Sequence, residues 1–243
     1  MQFARTIKAL ALAGAVLFAP SLASASTITL TYQTPGNIFG SNGSAGVHLI
    51  SPRNVNASAG GFAVKGNISG NSALETFTAW CLDITTAINL NVGYDVTTTP
   101  FDVAPLTSAR ITNILALFNT GLTGLDLTMG RNSAGFQLAL WELVYENTGN
   151  PFNVSVGNFL ATSSNANAII KANSLLAGLG GVKTGNYGLT FLQAYHHRSQ
   201  NLVTGNPIPE VIQPVPVPAA GLLLFGALAG TGLLARLRRR KTR

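Results

Sequence analysis

Alternating apolar and polar positions predict a series of β-strands in the first hundred residues. A period of two is typical of strands that place one face against a core. This pattern is found in residues 27–32, 46–50, 60–68, 75–84 and 93–103. Gly, Ser and Asn residues separate most of these segments, as turns require. The pattern therefore predicts an antiparallel sheet or sandwich.

The hydrophobic period becomes helical after residue 107. Ser108 stands where a helix cap is expected, and the apolar residues after it recur every three to four positions. Residues 132–147 have the strongest helical pattern, and residues 165–177 predict a third helix. Residues 187–195 predict a closing strand, so the fold class is α+β, an antiparallel β-sheet or sandwich with two or three helices.

Both ends of the chain have the composition of targeting segments. Arg5 and Lys8 precede an apolar run and small residues at Ala23 and Ala25, which is typical of a secretory signal peptide over residues 1–25. Residues 219–235 are uncharged, and six of the next eight residues are Lys or Arg. The pattern over residues 219–243 favours a transmembrane helix with a basic cytoplasmic end. A short motif precedes the helix: Val215, Pro216, Val217, Pro218 and Ala219.

This C-terminal segment resembles the PEP-CTERM sorting signals of Gram-negative bacteria, in a VPxPA-type variant. The resemblance implies an exosortase as processing partner. It also implies an intermediate anchored in the inner membrane, and delivery to the cell surface or extracellular matrix. A plain single-pass anchor is the alternative. The expected organisation is a signal peptide (1–25), a surface domain (26–200), a Pro-rich linker with the sorting motif (201–218), and the helix with its basic tail (219–243).

Charge is unevenly distributed along the chain. The formal net charge is +7, but eight of the fifteen Lys and Arg residues lie in the two targeting segments. All eight acidic residues lie between those segments, so the body has a charge of about −1. A nucleic-acid partner is therefore not expected. A Gly-, Asn-, Ser- and Thr-rich body is typical of extracellular adhesive or matrix proteins.

One cysteine and one glutamine stand out chemically. Cys81 is the only cysteine in 243 residues, although exported proteins usually pair their cysteines. Gln137 interrupts the apolar stripe that Leu140, Trp141 and Val144 form on the strongest predicted helix. A buried carboxamide without partners costs about 1–3 kcal/mol, so this glutamine needs a reason. A thiol that faces a carboxamide can attack its carbonyl carbon and release ammonia, leaving a thioester.

The surrounding residues resemble the Cys-Gln thioester domains of bacterial surface proteins. In that group an aromatic-Cys-Leu/Ile-Asp strand precedes a helix with Gln-x-Ala-x-Trp, and residues 80–83 and 137–141 match both motifs. The resemblance implies that Cys81 and Gln137 form a thioester and attach the chain to a partner with an amine or hydroxyl group. Under the thioester hypothesis, three aromatic residues would shield the bond: Trp80, Phe136 and Trp141. Phe136 departs from the best-known members, which have Thr before the Gln.

Two further hypotheses remain open. A free cysteine is often a buried packing residue, and the chain would then be a non-covalent matrix or biofilm protein with Cys81 and Gln137 in its core. A turnover enzyme finds no support, because Glu142 and Glu146 are expected on the exposed face of their helix, away from Asp83. His196 and His197 are adjacent, so a strand would direct them to opposite faces, and neither a metal site nor a cofactor is expected.

Overall fold

The computed structural model describes residues 26–68, 73–98, 106–147, 149–181 and 185–207. Within these ranges it contains three α-helices, α1 (Ser108–Gly121), α2 (Gly130–Tyr145) and α3 (Ala166–Ala177). It also contains ten strands: β1 (Ser26–Thr29), β2 (Thr31–Tyr32), β3 (Ala45–Ser51), β4 (Val55–Ala59), β5 (Phe62–Gly66), β6 (Glu75–Cys81), β7 (Gly93–Thr97), β8 (Leu160–Ser163), β9 (Tyr187–Ala194) and β10 (Leu202–Pro207).

The strands form two antiparallel sheets. The larger sheet has the order β1-β7-β9-β10-β6-β5-β2, and the smaller has the order β4-β3-β8. The last residues of β6 lie inside the larger sheet, where Trp80 and Cys81 pair with Val203 and Leu202 of β10. The predicted α+β class, with antiparallel strands and three helices, is confirmed.

Five strands of the fold differ from the sequence prediction. The alternating segment 27–32 is divided at Leu30, and its two halves form β1 and β2 at opposite edges of the larger sheet. The segment from Asn201 was predicted to be linker because of its prolines, but β10 occupies a central position beside β6. Strands β4 and β8 were not predicted, because both are short and contain few large β-branched or aromatic residues.

Helix α2 is the central helix of the described structure. It packs against α1, α3 and strands β3, β4 and β6, and all twelve residues from Ser133 to Val144 are buried. Its first half is tied to the sheets where the Ser133 hydroxyl accepts a hydrogen bond from the Gly61 backbone N–H (2.9 Å). A helix with no solvent-facing side must place every polar side chain against protein, and this constraint fixes the surroundings of Gln137.

Helix α1 begins as capping rules require, one residue from the expected position. The Thr107 side chain, rather than that of Ser108, accepts the hydrogen bond from the Arg110 backbone N–H. Helix α3 starts directly after Asn165, close to the predicted start.

The predicted targeting segments lie outside the described residues. These are the signal peptide (1–25), the sorting motif Val215–Ala219 and the helix with its basic tail (219–243). Among the described residues, no helix combines the length and apolar character needed to cross a membrane.

Candidate functional site

The structure brings Cys81 and Gln137 into direct contact. The Cys81 backbone N–H donates to Oε1 of Gln137 (2.9 Å), and Nε2 of Gln137 donates to the Cys81 carbonyl oxygen (2.8 Å). Gln137 is 1 % exposed, as is Cys81. Two reciprocal hydrogen bonds therefore hold the Gln137 carboxamide against the Cys81 backbone. They also give both polar atoms of this buried side chain a partner, which explains why a glutamine is tolerated in the apolar stripe.

Cys81 lies where β6 leaves the sheet. After it, the Leu82 backbone N–H donates to the Asn201 carbonyl oxygen (2.9 Å), and the Ile84 backbone N–H donates to the Tyr145 hydroxyl (3.2 Å). Tyr145 comes from the end of α2, so the helix that carries Gln137 also holds the turn after Cys81. Sequence patterns gave no signal for Tyr145.

The Cys81 thiol is protonated at neutral pH. Burial raises its pKa well above the usual value; the indole N–H of Trp141 acts in the opposite direction, and the nearby Asp83 carboxylate raises the pKa further. The Sγ–H group donates to the Asp83 carbonyl oxygen (2.8 Å). A protonated thiol is a weak nucleophile, so its reaction with Gln137 depends on proximity and on groups that stabilise the sulfur when it becomes negative.

A cavity of about 420 Å³ gives access to the pair, since Cys81, Gln137 and Trp141 all line it. Most of its wall is apolar, with contributions from Phe39, Leu49, Val55, Phe62, Ile84 and Ile88. Among the described lining residues the only basic side chain is Arg53, and none is Asp, Glu or His. The described wall therefore offers no carboxylate or imidazole that could act as a general base.

The three predicted shielding residues occupy two different environments. Trp141 lines the cavity. Trp80 and Phe136 lie in the closed core, with ring centroids 4.3 Å apart, and Phe136 also contacts the edge of Phe118 (5.2 Å). Both core rings are fully buried. Trp141 thus borders the path to the thiol, while Trp80 and Phe136 are packing residues of the core.

The prediction that Glu142 and Glu146 are exposed is wrong. They are 0 % and 2 % exposed, because the segment after α2 returns across this face of the helix. Glu142 Oε1 accepts a hydrogen bond from the Asn153 backbone N–H (2.7 Å), and its Oε2 has no partner among the described residues. Neither carboxyl group lines the cavity beside Cys81, so they do not form an acid/base set with it.

Glu146 anchors the returning segment with four hydrogen bonds. Its Oε1 accepts from the Asn147 backbone N–H (2.9 Å) and the Asn150 side chain (2.7 Å). Its Oε2 accepts from the backbone N–H groups of Asn158 (2.6 Å) and Phe159 (3.2 Å). Burial raises the pKa of this carboxyl, but these four donors lower it by more, so the pKa is below its usual value.

Glu142 is expected to make stability pH-dependent. Burial, with help from the Glu146 charge and against the Asn153 hydrogen bond, raises its pKa from 4.5 to about 7. The Glu142 carboxyl therefore binds a proton more tightly in the folded protein than in the unfolded chain. Its contribution to the free energy of unfolding is complete below about pH 4.5 and is lost as the pH rises through about 7. Glu142→Gln should remove this decline and be more stable than the parent above neutral pH. Chemical unfolding of both proteins at several pH values tests this. If the free energy of unfolding depended on pH in the same way in both proteins, the prediction would be contradicted.

The histidine pair does not form a metal site in the described structure. His196 and His197 lie in an exposed turn after β9, with φ of 52° and 55°. No group of three or more His, Cys, Asp or Glu residues that could hold a metal ion occurs in the part of the chain that the structure describes.

Comparison with solved structures finds bacterial surface proteins. The N-terminal domain of the Streptococcus pyogenes pilus tip adhesin Cpa aligns over 68% of this chain and 93% of its own length, with 15% identity and a TM-score of 0.39. The N-terminal thioester domain of a surface protein from Clostridium perfringens covers 68% of this chain and 99% of its own (13% identity, TM-score 0.38). That of the fibronectin-binding protein SfbI from Streptococcus pyogenes covers 73% and 98% (16% identity, TM-score 0.38).

No protein-family model matches the chain, and no curated protein matches it. At TM-scores below 0.5, the structural similarities carry no statement about the chemistry or partners of this chain. The chemistry of the site is therefore inferred from the contacts around Cys81 and Gln137.

Proposed function

We propose that this chain is a cell-surface protein whose body attaches covalently to a partner through a thioester between Cys81 and Gln137. The pair of hydrogen bonds between Gln137 and the Cys81 backbone is the observation that carries the proposal. It confines the Gln137 carboxamide to one orientation, beside a thiol reached through a largely apolar cavity.

Thioester formation uses two residues that are already hydrogen-bonded to each other. The sulfur of Cys81 attacks the Gln137 carbonyl carbon, a C–S bond forms, and the C–N bond breaks. The thiol proton and the amide nitrogen with its two hydrogens leave as ammonia. Negative charge develops on Oε1, which already accepts a hydrogen bond from the Cys81 backbone N–H. That N–H therefore acts as an oxyanion donor.

Attachment reverses the roles of the two residues. A nucleophile on the partner attacks the acyl carbon of Gln137, the C–S bond breaks, and Cys81 leaves and recovers a proton. The chain is then bound through an amide or an ester at Gln137. This is a single acyl transfer, because the original carboxamide is not regenerated, so the protein is not a turnover enzyme.

Amines are expected to react faster than alcohols. A neutral amine attacks through its lone pair, whereas a hydroxyl needs a base, and the described cavity wall contains no Asp, Glu or His. The largely apolar wall offers water few hydrogen-bond partners beside the acyl group, which should slow hydrolysis before a partner arrives.

The proposed location rests on the targeting segments. The signal peptide and the PEP-CTERM-like end support export in a Gram-negative bacterium, a membrane-anchored intermediate, and release to the cell surface or matrix by an exosortase-type enzyme. The near-neutral body supports neither a nucleic-acid partner nor a bound cofactor. A non-covalent matrix protein is the alternative, and amine labelling distinguishes the two.

A labelled primary amine should become attached to Gln137. Incubation of the purified protein with a fluorescent alkylamine, and then proteolysis and mass spectrometry, should give one labelled peptide, which contains residue 137, and one newly free thiol at Cys81. An equally concentrated fluorescent alcohol should label the same residue more slowly. Unlabelled Gln137 with a thiol that was free from the start would favour the non-covalent matrix protein.

A further inference from the structure

Two tryptophans near the pair have a buried indole nitrogen without a well-formed hydrogen bond. Nε1 of Trp80 and Nε1 of Trp141 are both buried, and neither has an acceptor at hydrogen-bonding geometry among the described residues; the Trp141 N–H nevertheless lies close enough to the Cys81 sulfur to lower the pKa of that thiol. A buried N–H group without an acceptor costs about 1–3 kcal/mol, so each needs a physical reason. Their surroundings differ, because Trp141 lines the cavity beside Cys81 whereas Trp80 lies in the closed core against Phe136.

Helix geometry places Trp141 over the reacting pair. It stands four residues after Gln137 on α2, which puts the two side chains on the same helix face. It is only 4 % exposed, so its indole is fixed by packing. Its N–H also lowers the pKa of the Cys81 thiol against the larger opposite effect of burial, which means that the indole stabilises a negative sulfur.

The chemistry of the proposed thioester creates a need for such a donor. When an amine attacks, the electron pair of the C–S bond moves to Cys81, and that thiol is a poor leaving group because burial raises its pKa. The cavity wall supplies no positive charge at the sulfur: Arg53 is exposed, and its guanidinium donates to the Thr85 carbonyl oxygen (2.6 Å).

We propose that the indole N–H of Trp141 donates a hydrogen bond to the Cys81 sulfur as the C–S bond breaks, and is a catalytic group of the acyl transfer rather than only a hydrophobic shield. In the balanced step, the amine nitrogen bonds to the acyl carbon of Gln137, the C–S electron pair passes to sulfur, and the proton lost by the amine returns to the sulfur. The N–H, which has no well-formed hydrogen bond before the reaction, gains an acceptor of increasing negative charge in the transition state, where it acts on the rate.

Trp141→Phe separates the two roles because it keeps an aromatic ring and removes the N–H. If Trp141 is a donor, both aminolysis by methylamine and hydrolysis of the thioester should slow by the same factor, about tenfold or more for a hydrogen bond to a charged group. If Trp141 is only a shield, water enters more easily, hydrolysis becomes faster, and aminolysis does not slow. The second result would overturn the proposal.

Trp80→Phe is the matched control. It removes the same indole N–H from a buried tryptophan beside Cys81 that does not line the cavity. Its aminolysis rate should stay within about twofold of the parent rate, once thioester content has been normalised by mass. An equal loss of rate in both variants would show that the effect is one of packing and would overturn the proposal.

A variant that accumulates no thioester still gives a decisive result. The rate at which a small alkylating reagent modifies the free Cys81 thiol can be compared with that of the methylamine-opened parent. Loss of the donor should slow alkylation at every pH below the thiol pKa, since less thiolate is present; equal or faster alkylation would overturn the proposal.

The inference rests on the proposed function, and the two can fail separately. A parent protein without a thioester would contradict both. A reactive parent protein, together with a Trp141→Phe variant that reacts at the parent rate, would contradict only the role of Trp141.

Discussion

Cys81→Ala is expected to abolish thioester formation and amine labelling completely. The variant removes the only sulfur nucleophile in the chain. It keeps both hydrogen bonds to Gln137, because these involve the backbone of residue 81 and not its side chain. The carboxamide should therefore remain in place and unreacted, so that the mass of the variant equals the calculated value and methylamine adds nothing.

Gln137→Met is the complementary change. It retains a long, flexible side chain of similar volume but has no acyl carbon, so it should be equally inert. It should also be less stable, since the buried N–H and carbonyl of Cys81 lose their partners at about 1–3 kcal/mol each. Unfolding curves for both variants provide the folding control. Amine labelling that persists in a folded Cys81→Ala protein would contradict the assignment of the nucleophile.

Glu146→Ala is expected to be the most destabilising single substitution in the described structure outside the apolar core. It removes one carboxylate and leaves four donors without an acceptor, three of them backbone N–H groups. Hydrogen bonds to a charged group contribute about 1.5–3 kcal/mol each, and a network lost together should lower the free energy of unfolding by at least about 3 kcal/mol.

Asp126→Ala is a suitable control for that measurement. Among the described residues, the Asp126 carboxylate accepts hydrogen bonds within its own turn, from the backbone and hydroxyl of Thr128, so its loss should have a much smaller effect on the free energy of unfolding.

The stabilisation by Glu146 should depend on pH. Because the Glu146 pKa is depressed in the folded state, this stabilisation is present above the usual carboxyl pKa and is lost as the pH falls through the pKa of the folded state. Equal denaturant midpoints for the two variants at neutral pH would contradict the anchoring role of Glu146.

The contact between Cys81 and Gln137 could be predicted because both residues are anomalies of pattern. A single cysteine in an exported chain and a carboxamide in an apolar helical stripe each need an explanation, and one contact explains both. Strand β6 and helix α2 have strong periodicity, so their positions were predicted to within a few residues.

Other parts of the site depend on tertiary contacts that leave no periodic signal. Glu142 lies in α2 and Glu146 directly follows it, and a helix considered by itself exposes the face that carries its charged residues. They are buried because the segment 149–159 returns over them and supplies backbone donors. The same limit applies to β10, whose place beside Cys81 is determined by pairing with β6, whereas its prolines favour a linker.

The role of Trp141 depends on a direction that no sequence pattern encodes. From the sequence, Trp141 was predicted to be a shielding aromatic ring. A hydrophobic pattern can indicate such a ring, but it cannot show that the residue acts as a hydrogen-bond donor. The position of Trp141 at the cavity beside Cys81, and that of Trp80 in the core, require coordinates.

The intact mass of the purified protein, before and after methylamine, is the decisive test of the proposed thioester. We expect a protein one ammonia lighter than its sequence requires, with the peptides of Cys81 and Gln137 joined. Methylamine should separate these peptides, add its own mass to Gln137 and expose one thiol. A protein with its full calculated mass, an alkylatable Cys81 and no methylamine adduct would contradict the thioester, and Cys81 and Gln137 would then be hydrogen-bonded core residues of a non-covalent surface protein.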